Sequence, residues 1–146
     1  MDLMISIVLV KIGWTDFHKK IIPNQWIGIL SLFILMKMWL EMKGIAMNQI
    51  FGIFSVSVPL LAMAVCVPGS FGGGDIKLLA ASGLLLGAKW NVYAFVIGIL
   101  IAGCEILVKV VRKDFVRNGE LALGPALCTG IILMLWWGEK IEILIG

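Results

Sequence analysis

Two aspartates are the side chains in this sequence whose surroundings best suit chemistry. Asp75 follows three consecutive glycines at the start of an apolar stretch, and Asp16 follows the first apolar stretch. Ionisable groups at membrane depth are costly and usually have a function. Two carboxylates that lie close together tend to share one proton, so that one can take a proton from water and the other can donate to a carbonyl. This is the chemistry of an aspartic protease, which uses neither a metal nor another cofactor.

Each aspartate also has a simpler interpretation. Asp75 could cap a helix that begins at Ile76, with the glycines serving only as a hinge. Asp16 could be a solvated carboxylate at a membrane interface, paired with the bases at residues 18–20. The two aspartates are 59 positions apart, so only folding can bring them together.

Other site chemistries find less support in the sequence. His18 is the only histidine, and no HExxH, GxSxG or phosphate-binding GK[ST] pattern is present. The three cysteines, Cys66, Cys104 and Cys128, are far apart in apolar stretches, so we interpret them as small buried hydrophobic residues. Glu105 lies inside an apolar stretch and is interpreted as a buried neutral or paired carboxyl.

The elements that must position the aspartates are membrane helices. The chain has 146 residues, of which 61% are hydrophobic and 14% charged, whereas a soluble domain has about 25% charged residues. Because a spanning helix needs roughly 20 apolar residues, we predict an all-α polytopic bundle of about six transmembrane helices in one membrane domain, residues 1–146. The predicted spans are residues 3–14, 26–40, 50–67, 76–86, 92–111 and 121–137. The sequence has no Arg- or Lys-rich arm, so we expect no nucleic acid partner.

The distribution of Lys and Arg predicts the orientation in the bilayer. With six spans, the ends of spans one, three and five share one side, which carries eight of the twelve Lys and Arg residues. An excess of basic residues marks the cytoplasmic side. Asp16 and Asp75 both fall on this side, so we predict a multi-pass protein of the cell membrane with its site at the cytoplasmic face.

Three motifs resemble those of the type IV prepilin peptidases, which are membrane aspartic peptidases of the GxGD type. Residues 72–77 resemble the family's GxGD-x-K motif, and Asp16 followed by residues 22–24 resembles its first aspartate and IPN turn. Residues 123–127 resemble the glycine–proline–alanine opening of the family's last span. The motifs occur in the family's order, and the resemblance covers nearly the whole chain.

The resemblance implies an endopeptidase that removes the short basic leader from prepilin-like or preflagellin-like substrates, whose leader precedes a hydrophobic helix. Asp16 and Asp75 would be its catalytic aspartates, and the residues that shape the substrate loop would be Pro23, Asn24, Gly72, Gly74 and Lys77. Larger relatives carry a domain with paired CxxC motifs and also methylate the new N-terminus. We expect the minimal form with peptidase activity alone.

Two functions of other classes stay open at this point. The chain could be a non-enzymatic membrane subunit of a pilus or secretion machine, in which the glycine segment is only a hinge. It could also be a small proton-coupled transporter with the two carboxylates as a relay, which would place them near the middle of the bilayer.

Overall fold

Every regular element in the described part of the chain is a helix. The computed structural model describes residues 1–42, 44–69, 71–113 and 122–146. Within these ranges the helices are α1 (Asp2–Lys19), α2 (Asn24–Leu40), α3 (Met47–Cys66), α4 (Gly73–Val111) and α5 (Gly124–Ile145). The prediction of an all-α fold is therefore confirmed.

The prediction of six transmembrane helices is not supported. The fourth and fifth predicted spans, residues 76–86 and 92–111, both lie in α4, which is interrupted only at Gly87. In the described residues α3 and α4 are long and apolar enough to cross a membrane, and α2 is apolar but shorter. The sixth predicted span corresponds to α5, and its expected start at residue 121 lies outside the described residues, as does most of the polar loop at 112–120.

The backbone of α4 folds back on itself at Gly87. The Nδ2 of Asn91 donates a hydrogen bond to the carbonyl of Leu79 over 3.1 Å, although 12 residues of straight helix would separate these positions by about 18 Å. Gly87 has φ 79° and ψ 173°, a conformation that only glycine adopts readily. Residues 73–86 and 88–111 are therefore two arms that lie side by side, and we refer to them as the first and second arms of α4.

A buried polar network holds the two arms against α3. Asn91 is fully buried, and its amide group donates to the carbonyls of Gly52 and Leu79 and accepts from the Ser82 hydroxyl at 2.7 Å. Beside the turn, the Asn48 side chain accepts a hydrogen bond from the backbone of Ala88. A fully satisfied network of this kind rigidifies an apolar interior, so it fixes the first arm, which carries Asp75.

Glycines bring the helix backbones into contact. A Cβ on Gly52 would overlap the carbonyl oxygen of Gly83, and a Cβ on Gly83 would overlap that of Gly52. Gly130 in α5 approaches the carbonyl of Ala94 in the second arm in the same way. Small residues at helix contacts are typical of membrane bundles, where close van der Waals packing drives association.

Polar contacts join α1 to its neighbours at the end away from Asp16. Asp2 forms an ion pair with Lys37 of α2, and Trp136 of α5 donates a hydrogen bond to the Ser6 hydroxyl at 3.0 Å. Since the first residue of α5 contacts Asp16 near the other end of α1, α1 and α5 are antiparallel. The start of α5 therefore lies beside Asp16.

The outer faces of the helices are apolar. In the apolar windows of α3 and α4, only 22% and 17% of the residues are buried inside the protein, so neither is the core helix of a soluble domain. Large apolar side chains such as Leu32, Phe51 and Leu100 are more than 60% exposed. A contiguous apolar surface of this kind suits contact with lipid.

Three of the sequence-based interpretations of buried residues need correction. Cys128 is buried as expected, but Cys66 and Cys104 are exposed. Glu105 is also exposed on the second arm of α4 and is not a buried carboxyl. Apolar neighbours in sequence did not indicate burial here, because the outer face of each helix is as apolar as the inner one.

The contact between Gly52 and Gly83 leads to a stability prediction. Gly83→Ala introduces a methyl group where backbone already lies, so it should destabilise the protein by about 1–3 kcal/mol through overpacking. Gly28→Ala is the matched control, because no atom lies within 4 Å of its Cβ position, and alanine there should be neutral or stabilising by up to about 1 kcal/mol. Thermal unfolding of both variants in detergent measures the difference, and equal stabilities would contradict the close contact.

Candidate active site

Asp16 lies in the last turns of α1 and is only 5% exposed. Its Oδ2 accepts a hydrogen bond of 2.9 Å from the backbone N–H of Gly124, the first residue of α5. Helix N-termini present free N–H groups and a partial positive charge, so they bind anions well. The interpretation of Asp16 as a solvated surface carboxylate is therefore wrong.

Gly124 is required sterically at this contact. A Cβ at this position would overlap the carboxylate of Asp16. A larger residue would push α5 away from α1 or displace the carboxylate. The close contact with Asp16 thus explains why the segment 123–127 has a glycine at this position, in addition to its place at the start of a helix.

Asp75 is the third residue of α4 and is 9% exposed. The residue at the N-cap position is Gly72, so Asp75 lies inside the first turn and is not the N-cap residue that the sequence suggested. Its carboxyl group accepts a hydrogen bond from the backbone of Gly72. A Cβ on Gly72 would lie 3.3 Å from Oδ2 of Asp75. The other oxygen, Oδ1, is buried and has no hydrogen-bond partner among the described residues. A buried acceptor without a partner is rare in native proteins and costs free energy unless it gains a proton or a hydrogen bond.

The fold brings the two aspartates to one place. Asp75 lies within electrostatic range of Asp16, and the thiol of Cys128 in α5 lies within range of both carboxylates. Helices α1, α4 and α5 each contribute one of these groups. Folding thus brings together two aspartates that are far apart in the sequence. The catalytic role of the pair stays a prediction.

The segment between α1 and α2 packs against the glycines before Asp75. A Cβ on Gly74 would lie 2.8 Å from the Cβ of Ile22, so only glycine lets the two segments approach. Lys77 donates a hydrogen bond of 3.1 Å to the side chain of Asn24. Pro23, between these contacts, has extended backbone and precedes α2. Residues 22–24 and 72–77, which are separate motifs in the sequence, therefore form one contact.

The groups gathered here support acid–base chemistry by carboxylates. Within the described residues, no group of three or more His, Cys, Asp or Glu side chains could hold a metal ion. Both carboxylates lie beside helix N-termini, Asp16 at α5 and Asp75 in the first turn of α4. Such a pair can hold one proton between them and activate a water molecule.

Sequence reasoning missed two residues of the site. Residues 123–127 suggested only the opening of a helix, although Gly124 holds Asp16. Cys128 was interpreted as a small hydrophobic residue, although its thiol lies within electrostatic range of both carboxylates. Gly124 and Cys128 are one helical turn apart on α5, so a contact at the first implies proximity at the second, but no signal in the sequence indicated the first contact.

The contact of Gly74 with Ile22 leads to a second prediction. Gly74→Ala should lower the melting temperature, because the added methyl group displaces residues 22–24, whereas Gly73→Ala should have little effect because no atom lies within 4 Å of its Cβ position. The expected difference is about 1–3 kcal/mol, measured by thermal unfolding in detergent. The two variants differ only in which of two adjacent glycines gains a methyl group. If Gly73→Ala is the more destabilising change, the contact is misassigned.

Comparison with known proteins agrees with the motifs. The chain is 28% identical over 134 residues to a prepilin leader peptidase/N-methyltransferase of Bacillus subtilis (strain 168), and the alignment covers 92% of this chain. It covers 54% of that relative, so the chain spans about half the length of the curated relative it matches. No solved structure matches.

The family assignment rests on most of the chain. The sequence profile of the type IV leader peptidase family matches residues 3–107, a range that contains both aspartates, residues 22–24 and the glycines before Asp75. This chain belongs to the type IV leader peptidase family.

Proposed function

We propose that this protein is a membrane aspartic endopeptidase that removes the leader from prepilin-like substrates. The observation that carries the proposal is the pair of buried carboxylates, Asp16 and Asp75, within electrostatic range of each other. Membership of a leader peptidase family supports it, and so does the name of the relative, prepilin leader peptidase/N-methyltransferase. The peptidase reaction alone is proposed here, without methyl transfer.

The proposed reaction uses the two carboxylates as general base and general acid. The ionised member takes a proton from a water molecule as the water oxygen attacks the scissile carbonyl carbon. The protonated member donates to the carbonyl oxygen, and collapse of the tetrahedral intermediate breaks the C–N bond with a proton delivered to the leaving amine. The pair titrates as a unit, so neither role is assigned to one residue.

The surrounding residues are proposed to position the pair. Gly124 holds Asp16 through its N–H, and Gly72 lies against Asp75. The exposed hydrogen bond from Lys77 to Asn24 joins the two motif segments. An arrangement held by backbone groups needs little reorganisation during the reaction, which is the condition for electrostatic catalysis.

We further propose a multi-pass protein of the cell membrane with the site at the cytoplasmic face. The apolar surfaces of α3 and α4 support membrane insertion. The excess of Lys and Arg on the side of the aspartates supports the orientation, because the fold-back at Gly87 keeps both ends of α4 on that side. Asp16 and Asp75 lie near helix ends, which argues against the alternative of a proton relay at the middle of the bilayer.

The catalytic proposal predicts that either aspartate is essential. Asp16→Asn and Asp75→Asn should each reduce leader removal by about 10²–10⁴-fold or more, since each removes one proton-transfer group. Glu105→Gln is the matched control, because Glu105 is an exposed carboxyl on the same helix as Asp75. Co-expression with a prepilin-like substrate, followed by gel analysis of the two substrate forms, measures processing. Normal processing by either aspartate variant would refute the dyad.

The orientation predicts which positions a membrane-impermeant maleimide can reach. In a background with Cys66→Ser, Cys104→Ser and Cys128→Ala, Lys20→Cys should resist labelling in intact cells and react after lysis. Met42→Cys, an exposed position beyond the opposite end of α2, should react in intact cells. Labelling of position 20 but not 42 in intact cells would reverse the orientation.

A further inference from the structure

An open apolar groove lies between α1 and α5. It has a volume of about 360 Å³. Val10, Gly13 and Phe17 line it from α1, and Pro125, Cys128 and Ile132 line it from α5. We refer to this feature as the α1–α5 groove.

The wall of the α1–α5 groove is shared with the candidate site. Cys128 faces the groove, and its thiol also lies within electrostatic range of Asp16 and Asp75. Pro125, another wall residue, directly follows Gly124, the residue that holds Asp16. A chain that occupies the groove would therefore contact Cys128, which interacts electrostatically with both carboxylates, and Pro125, which adjoins the residue that holds Asp16.

The lining of the groove selects for an apolar occupant. No carboxylate, ammonium, guanidinium or imidazole group is among the residues that line it in the described part of the chain. A cavity of about 150 Å³ accommodates benzene, so the groove has room for more than one large apolar side chain. A basic leader does not fit such a surface, because charged groups would lose their hydration without gaining a partner.

A second groove on α1 is a poorer candidate for the same role. It lies toward α2, where Trp26 and Lys11 line it. An ammonium group borders it, and none of its lining residues is Gly124, Pro125 or Cys128. Of the two grooves, the α1–α5 groove is thus the one that shares residues with the surroundings of the carboxylates.

We propose that the α1–α5 groove binds the apolar segment of the substrate that adjoins the scissile bond, with Cys128 as the partition between this segment and the carboxylates. The proposal rests on the proposed peptidase function. It makes Ile132 a specificity-determining residue, because its side chain lines the groove away from the carboxylates.

The proposal is tested by placing a larger side chain at each of two adjacent positions of α5. Ile132→Trp fills the groove, whereas Leu133→Trp is its matched control because Leu133 does not line the groove and is 39% exposed. The substrates are leader-bearing proteins with Ala, Leu or Phe as the first residue of the apolar segment, and KM and kcat are measured in detergent and in nanodiscs. For Ile132→Trp, KM should rise about tenfold or more with Leu and Phe and less than about threefold with Ala. Leu133→Trp should leave all three values within about twofold.

Two results would overturn the proposal. Equal losses on all three substrates would mean that the groove serves packing or holds a lipid chain. The same discrimination by Leu133→Trp would mean that the groove does not determine specificity. The variant Ile132→Ala adds an independent check, since an enlarged groove should favour Phe over Leu relative to the wild-type protein.

Cross-linking separates this proposal from the peptidase proposal. In a background with Asp75→Asn, Cys66→Ser, Cys104→Ser and Cys128→Ala, a cysteine is placed at Ile132 or at Leu133, and another in the apolar segment of the substrate. Disulfide formation from position 132 and not from 133 would support groove binding even if the wild-type protein cleaves none of the substrates. Equal cross-linking from both positions, or none from either, would refute groove binding, whereas absence of cleavage by the wild-type protein would refute only the peptidase proposal.

Discussion

The hydrogen bond from the Gly124 backbone to the Asp16 carboxylate is the contact on which the candidate site depends. It joins positions 108 residues apart and leaves Asp16 only 5% exposed. A buried carboxylate needs a compensating partner, and here the N-terminus of α5 supplies it. Asp75 likewise lies in the first turn of α4. Neither carboxylate belongs to an ion pair in the described part of the chain. Helix ends stabilise both groups in place of a cation, so both stay available for proton transfer.

The remaining contacts of the bundle determine where these two helix ends lie. The first arm of α4 is held against α3 by the Gly52–Gly83 contact and by the buried Asn91 amide. The start of α5 is fixed because α5 packs on the second arm, where Gly130 approaches Ala94. The reversal at Gly87 links these two interfaces. Polar atoms deep in an apolar bundle thereby set the position of carboxylates at its surface end.

Local chemistry in the sequence was enough to predict some features and not others. The glycines before Asp75 predicted a site residue, and the apolar composition predicted an all-α membrane fold. Both signals depend on residues that are close together in the sequence. The break at Gly87 was also visible, since it separates the predicted spans 76–86 and 92–111, which lie in the two arms of α4. The hydrogen bonds that Asn91 makes with Ser82 and Leu79 were not visible, because they depend on the fold-back itself. The contact of Asp16 with Gly124 could not be derived from spacing, because it depends on how three helices pack. Exposure of Cys66, Cys104 and Glu105 was missed because lipid-facing and core-facing surfaces have similar composition.

The charges around the site bear on where affinity for the proposed substrate originates. His18 and Lys19 lie in the last turn of α1, and Lys77 is exposed two residues after Asp75. A basic leader gains little from such a rim, because like charges repel and water and salt screen what attraction the carboxylates offer. The apolar segment gains no hydrophobic free energy by moving from lipid into an apolar groove, so in the proposed complex its binding energy comes from close van der Waals packing. In the proposed mechanism the two features have separate tasks: the α1–α5 groove binds the apolar segment of the substrate, and the helix ends hold the two carboxylates in the geometry that cleavage needs.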